Sequence, residues 1–266
     1  MRTTRSPVSP LRLRTALVVL LLGAGLILAL PASAASAFPD VPSNHPYISA
    51  IVELSARGII GGYTNGNFGP EDPVMRQQFA KMVVKTMNLS VPGGEICPFG
   101  DVVAQTGTDP FYPGKYVAVC AQYNIAKGKD ATHFAPYDNI TRRQVITMVV
   151  RAADNLTPGT LDDVPAGWNG QLSYEDPTHG ANIKKAEYNG LLDGLHGLSS
   201  SWNAGLNASR GECAQLLYYL IFLQGGGPGN FGSLGGEFTS GPGVCEHNPQ
   251  GSGGLVVFAR GSDGAL

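Results

Sequence analysis

Apolar residues recur at helical spacing in three blocks along the chain, each followed by a loop of turn-forming residues and a second apolar-striped stretch. In the first block Ile48, Ile51, Val52 and Ser55 share one side of a predicted helix that ends at Gly58. The segment Gly61-Gly62-Tyr63-Thr64-Asn65-Gly66-Asn67-Phe68 reads as a tight loop, because glycine and Asn-Gly supply the positive φ that such turns need. A second helix starts near Met75 and carries Phe79, Met82, Val83 and Met87 on one face. The second block repeats this order: a helix near residues 115–124, a loop from Gly128 through Phe134 to Pro136, and a helix opening Ile140-Thr141-Arg142-Arg143-Gln144 with Val145, Met148, Val149 and Ala152 behind it. The third has a helix around residues 183–191, a longer loop, and Ala208-Ser209-Arg210-Gly211-Glu212 leading into Cys213, Leu216, Leu217, Leu220 and Ile221. Helix, glycine turn, helix is the predicted unit, and the expected fold is all-α.

Landmarks inside the blocks show that they are copies of one unit. The opening aspartates Asp40, Asp101 and Asp163 are 61 and 62 residues apart, and the arginines Arg76, Arg142 and Arg210 that start the second helices are 66 and 68 apart. A period of this length marks a repeated supersecondary unit.

The helix starts carry chemistry of their own. Thr141 with Gln144, and Ser209 with Glu212, have the spacing of capping boxes, which puts Arg142 and Arg210 on the first helical turn. Partial positive charge from the dipole disfavours a cation there, so local stability alone would choose an acid. A guanidinium beside unpaired amides makes a corner able to grip a carboxylate. The competing reading is a strut, in which each arginine pairs with an opening aspartate or with a neighbouring unit. The first unit reads Met75-Arg76-Gln77-Gln78 and lacks the hydroxyl cap.

The N-terminus changes the compartment. Arg2, Arg5, Arg12 and Arg14 precede an uncharged apolar run from Ala16 to Leu30, then Pro31 and small residues up to Ala37. This is the pattern of a secretory signal peptide cleaved after Ala37 or Ala34, and fifteen apolar residues fall short of the roughly 20 needed to span a bilayer. No membrane span is expected after cleavage. From Phe38 onward 14 Lys and Arg face 20 Asp and Glu, a formal charge of −6, which argues against nucleic acid as a partner.

Cys97, Cys120, Cys213 and Cys245 would meet an oxidising compartment after export. The favoured pairing is Cys97 with Cys120 and Cys213 with Cys245, against the alternative of buried or free thiols. After Leu223 the composition shifts, with fourteen glycines in the last 42 residues, so no packed core is expected in that tail.

Catalytic and metal chemistry find little support. The five histidines are scattered without His-Glu-x-x-His spacing, and neither a Gly-x-Ser-x-Gly elbow nor a phosphate loop occurs. Glu71-Asp72, Asp162-Asp163 and Glu175-Asp176 are sequence neighbours, which seldom face one substrate as glycosidase carboxylates do. The reading is of a non-enzyme with no metal and no cofactor.

The residues Phe38-x-Asp40-Val41, Gly62-Tyr63, Asn65-Gly66-x-Phe68-x-Pro70 and Arg76 resemble the S-layer homology (SLH) repeat. Phe99-x-Asp101-Val102, Phe134-x-Pro136 and Ile140-Thr141-Arg142 repeat the match, the last resembling that family's Ile-Thr-Arg-Ala-Glu signature. The third unit keeps mainly Asp163-Val164, Gly194, Trp202 and Ser209-Arg210-x-Glu212.

The resemblance implies a pseudo-threefold, three-pronged spindle with ligand grooves between adjacent repeats. It implies non-covalent tethering of a secreted protein to the bacterial cell envelope through acidic cell-wall polysaccharide, in some members one bearing a pyruvate ketal. Carried over by position, Arg76, Arg142 and Arg210 would meet the anionic group, Asp40, Asp101 and Asp163 would shape the grooves, and Gln78, Gln144 and Glu212 would stand beside them. Three such sites on one body would gain from multivalency. The departures rank the second unit first and the third last. The expected organisation is a signal peptide at 1–37, repeats at 38–96, 97–160 and 161–224, and a glycine-rich tail at 225–266. The alternative from another class is an adaptor that packs the same units against envelope protein partners.

Overall fold

The structure, a computed structural model, describes residues 38–103 and 107–226. The expected signal peptide at 1–37, most of the glycine-rich tail and Cys245 lie outside the described residues. Among the described residues six α-helices come in chain order: α1 (Ile48–Ala56), α2 (Arg76–Thr86), α3 (Gly114–Gln122), α4 (Arg142–Leu156), α5 (Gly180–Tyr188) and α6 (Arg210–Ile221), the last running into a π turn at Phe222–Gly226. Among the described residues the extended backbone amounts to three isolated bridges, Pro73 with Ser209, Met75 with Asn139 and Thr141 with Asn207. The all-α expectation holds.

Helix ends fall where chain chemistry places them. The three second helices begin at Arg76, Arg142 and Arg210, as the spacing predicts. Left-handed residues end the helices at Gly58, Asn88, Asn124 and Gly190, glycine and asparagine being the residues that bear this conformation at least strain. The third unit differs from expectation: α5 spans Gly180–Tyr188, three residues earlier than the periodicity predicts. It starts directly after an Asp-Pro pair whose Asp176 accepts hydrogen bonds from the Thr178 and His179 amides at 2.9 Å each. Asp109-Pro110 precedes α3 in the same way, with Phe111 N donating to Asp109 at 3.0 Å.

The helices do not pair within their own units. α3 packs on α2, α5 on α4 and α1 on α6, so each first helix lies against the second helix of the unit before it, and the contact of α1 with α6 closes the cycle. The second helices α2, α4 and α6 also touch one another. Their apolar stripes supply Phe79, Val83, Val145, Ile146, Val149, Leu216, Leu217 and Leu220, all 2 % exposed or less, to one continuous core. Phe68 and Phe134, from the loops, are buried in that core.

Cys97, Cys120 and Cys213 are free thiols, so the expected Cys97–Cys120 bridge is not formed. Cys120 faces α2, where its Sγ lies 3.5 Å from Ala80 O, and it is fully enclosed, whereas Cys97 is only half-buried in the opening of the second unit. Burial pushes both the Cys120 and Cys213 thiols well above the ordinary range, which disfavours the thiolate needed for exchange.

Candidate functional site

The opening aspartates tie each loop to its own unit. Asp40 accepts from Phe68 N at 2.8 Å and Gly69 N at 2.6 Å, and Asp101 accepts from Phe134 N at 2.8 Å and Ala135 N at 2.7 Å. Burial works against ionising these carboxyls, but the paired amides outweigh it and hold both pKa values below the usual carboxylate range. Asp163 does not share this role: its side chain is fully exposed and its contact is Lys185 at 3.4 Å.

The leading arginines cross from unit to unit in cyclic order. Arg76 Nε donates to Phe134 O at 2.8 Å and Nη2 to Lys127 O at 3.3 Å, with the guanidinium 4.5 Å from the Phe134 ring centre. Arg142 Nη1 donates to Asn203 O at 3.3 Å and the group sits 4.8 Å over Trp202, while Nε and Nη2 reach the two Glu212 carboxylate oxygens at 3.1 and 2.7 Å. Arg210 Nε donates to Phe68 O and Nη2 to Gly61 O, both at 2.7 Å, and it stacks on Phe68 and Tyr63. Each guanidinium thus clamps backbone carbonyls and an aromatic ring in the following unit's loop, and the third returns to the first.

The amides expected to stand free beside these arginines are occupied. Arg76 N and Gln77 N donate to Asp138 O and Pro136 O at 2.9 and 3.1 Å, Arg142 N and Arg143 N to Leu206 O and Ala204 O at 2.9 and 2.8 Å, and Arg210 N and Gly211 N to Asp72 O and Pro70 O at 2.9 and 2.8 Å. A neighbouring loop therefore fills the place where the anion-binding corner was expected at each helix start, and the strut reading describes this geometry. The partner is the following unit's loop, and for two of the three that unit's opening aspartate is close by: the Arg210 charge helps lower the Asp40 pKa, and Asp101 and Asp138 partly offset the burial that lowers the Arg76 pKa.

Gln78, Gln144 and Glu212 serve first as caps, accepting from Met75 N, Thr141 N and Ser209 N at 2.8, 3.1 and 3.0 Å. Helix α2, without a hydroxyl at its cap, keeps this half of the box through Gln78. In α6 the box is complete, since Glu212 N also donates to Ser209 Oγ at 3.2 Å.

A solvent-facing groove of about 560 Å³ opens where the three units meet. Its walls are residues 58–61 and Phe68 of the first unit's loop, Gln78, Lys81, Met82 and Lys85 along α2, residues 107–109 and Tyr112 of the second unit, and Arg210 of the third. Lys81 Nζ bonds Asp109 at 2.5 Å and lies 5.4 Å from the Tyr112 and Tyr116 ring centres, and Lys85 Nζ donates to Gly58 O at 2.6 Å. Among the described residues three cations and one carboxylate line it. A second groove, of about 370 Å³, runs between Arg143 and residues 201–205; its two charged groups, Arg143 and Asp176, bond each other at 2.8 Å.

Of the residues expected at a binding site, the basic groove takes in Arg210 and Gln78, and Arg76 and Arg142 line neither groove. Lys81, Lys85 and the Asp-Pro helix entries were missed. Lys81 and Lys85 share one face of α2 at i and i+4, a spacing present in the sequence that gains meaning only from the groove in front of it.

Residues 37–80 and 105–146 match the S-layer homology domain. The chain is 29% identical to S-layer protein EA1 of Bacillus anthracis over 188 residues, covering 70% of this chain and 20% of that one. It is 31% identical to an endoglucanase of a Bacillus species over 126 residues, 47% of this chain and 12% of the enzyme. It is 25% identical to the cellulosome-anchoring protein of Acetivibrio thermocellus over 148 residues, 54% of this chain and 32% of that one. The chain spans about a fifth of the length of the S-layer relatives it matches.

The two matched segments are S-layer homology domains, and the protein carrying them is of the secreted, cell-wall-associated class. The third helix pair continues the same cyclic contacts beyond the matched residues. Domain and relatives together support attachment at the cell envelope, and the part shared with the endoglucanase is a small fraction of that enzyme. Among the described residues no helix is long and apolar enough to cross a membrane.

Proposed function

We propose that the protein anchors itself non-covalently to the cell envelope by holding acidic wall polysaccharide, pyruvylated polymers included, in the groove between its units. The observation that carries this reading is the excess of positive charge in the open groove walled by Lys81, Lys85 and Arg210, on a chain whose net charge is negative. Carboxylates on a polymer would be drawn to that groove and repelled elsewhere, and a Tyr112 ring in the wall offers a face for a sugar.

A second reading is favoured by two of the leading arginines. Arg76 is 5 % exposed and Arg142 is paired, as internal struts of a protein-docking adaptor would be. In that case the units would present a rigid body to envelope proteins and bind glycan weakly.

Co-sedimentation separates the two. Protein starting at Phe38 is mixed with purified sacculi, intact or stripped of phosphodiester-linked polysaccharide with cold hydrofluoric acid. Anchoring through polysaccharide predicts pelleting with intact sacculi alone. Equal pelleting with stripped sacculi would overturn it, and no pelleting with either would favour the adaptor.

A further inference from the structure

The three leading arginines occupy equivalent starts of α2, α4 and α6, so equivalent positions can be compared by counting along each helix. Five residues on stand Lys81, Thr147 and Gln215; nine residues on stand Lys85, Arg151 and Tyr219. Lys81 and Thr147 both bond the following unit, at Asp109 and His179, yet the chemistry of the equivalent positions differs. In α2 both are lysines lining an open groove. In α4 the first is Thr147, 2 % exposed, with its hydroxyl 2.7 Å from His179 Nδ1. In α6 both are uncharged, and Gln215 is 7 % exposed.

The arginine that each groove receives from the preceding unit differs in the same direction. The first groove receives Arg210, half-buried and among its lining residues. The second unit's loop receives Arg76, which is sunk to 5 % exposure beneath Phe134. The third receives Arg142, whose Nε and Nη2 are both spent on Glu212 and whose Nη1 donates to Asn203 O. A carboxylate arriving at the third interface would compete with one already held, and at the second it would have to displace protein to reach the guanidinium.

Resting on the polysaccharide reading above, we infer that carboxylate recognition is concentrated in the first groove and is set by Lys81 and Lys85 beside Arg210, so that one chain holds one anionic group of the polymer rather than three. Each ammonium has three N–H donors, and the bonds to Asp109 and Gly58 O leave donors on both for a ligand. Arg151 is the cation that remains at an equivalent position in another copy, and it serves as the control.

The test is a calorimetric titration with wall polysaccharide released by hydrofluoric acid, used intact and after its carboxyls have been reduced with carbodiimide and borohydride. Wild type is expected to bind the intact polymer at one carboxylate site per chain and the reduced polymer roughly tenfold more weakly or worse. Lys81→Gln/Lys85→Gln should bind both polymers alike, Lys81→Arg/Lys85→Arg should keep the wild-type preference, and Arg151→Gln should behave as wild type, all with unchanged circular dichroism. Full carboxylate preference in the Gln pair, a loss in Arg151→Gln as large as in the pair, or three sites per chain would overturn the inference while leaving the polysaccharide reading standing. Equal affinity of wild type for both polymers would overturn the reading itself.

Discussion

The Arg142 guanidinium holds the Glu212 carboxylate through both of its oxygens, at 3.1 and 2.7 Å, across the junction of the second and third units. Glu212 also accepts from Ser209 N at 3.0 Å at the start of its own helix, so one carboxylate joins a helix cap to an inter-unit clamp. Its side chain is 6 % exposed against 21 % for Arg142, and removing it would leave a partly covered cation without its counter-charge. Glu212→Ala should lower stability by about 2–4 kcal/mol, read by urea unfolding, with Glu212→Gln milder because the amide oxygen keeps the cap. A loss no larger than that of an ordinary surface substitution would show that the pair does not hold the junction.

Arg76 bridges the first and second units from a nearly buried position. Arg76→Ala removes two hydrogen bonds to carbonyls and a ring contact, and leaves Phe134 O without that donor. A destabilisation of about 3 kcal/mol is expected, and Arg76→Lys should recover little of it because an ammonium cannot reproduce the fork. Full recovery by lysine would mean that charge alone, rather than the planar clamp, matters there.

Asp40, Asp101, Asp109 and Asp176 all have carboxyl pKa values below the usual range, through amide and cation contacts that overcome burial. A folded-state pKa below the unfolded one gives stability that is present above the unfolded value, about 3.9, and is lost as pH falls through the folded values. The melting temperature should therefore be flat above about pH 5 with respect to these groups and fall steadily below about pH 4. Asp40→Asn/Asp101→Asn should melt lower at neutral pH and show a shallower acid limb. An unchanged acid limb would contradict the role given to the two loop ties.

Gly211 stands where a β-carbon would come 2.5 Å from Tyr47 Cδ2 and 3.1 Å from Pro70 O. Tyr47 is 4 % exposed and its hydroxyl accepts from His196 N at 3.1 Å, so the ring cannot easily yield. Alanine normally favours a helix over glycine by about 1 kcal/mol, yet Gly211→Ala should lower the melting temperature here. A higher melting temperature would show that Tyr47 moves aside.

How much of this was legible beforehand depended on whether the signal was local. The starts of α4 and α6 could be placed to the residue because cap, arginine and apolar stripe all lie within one short stretch, while α2, without a hydroxyl cap, could be placed only near Met75. The packing of α1 on α6 and of α3 on α2 joins different units, so no single unit's sequence carries it. For the same reason the sequence leaves the amides beside the arginines free, whereas the carbonyls that fill them come from loops about 60 residues away, such as Asp138 O and Leu206 O. The opening aspartates were found by spacing, but their amide partners at Phe68 and Phe134 appear only once the loop folds back. The two lysines of α2 were visible as an i, i+4 pair, and only the groove in front of them gives that pair a use.

The carboxylates of the wall polymer carry the proposed attachment. Protein starting at Phe38 is sedimented with intact sacculi and with sacculi whose carboxyl groups have been chemically reduced, in the same buffer and at the same salt. Retention on the intact walls and its loss on the reduced ones is the predicted result; equal retention on both would contradict it.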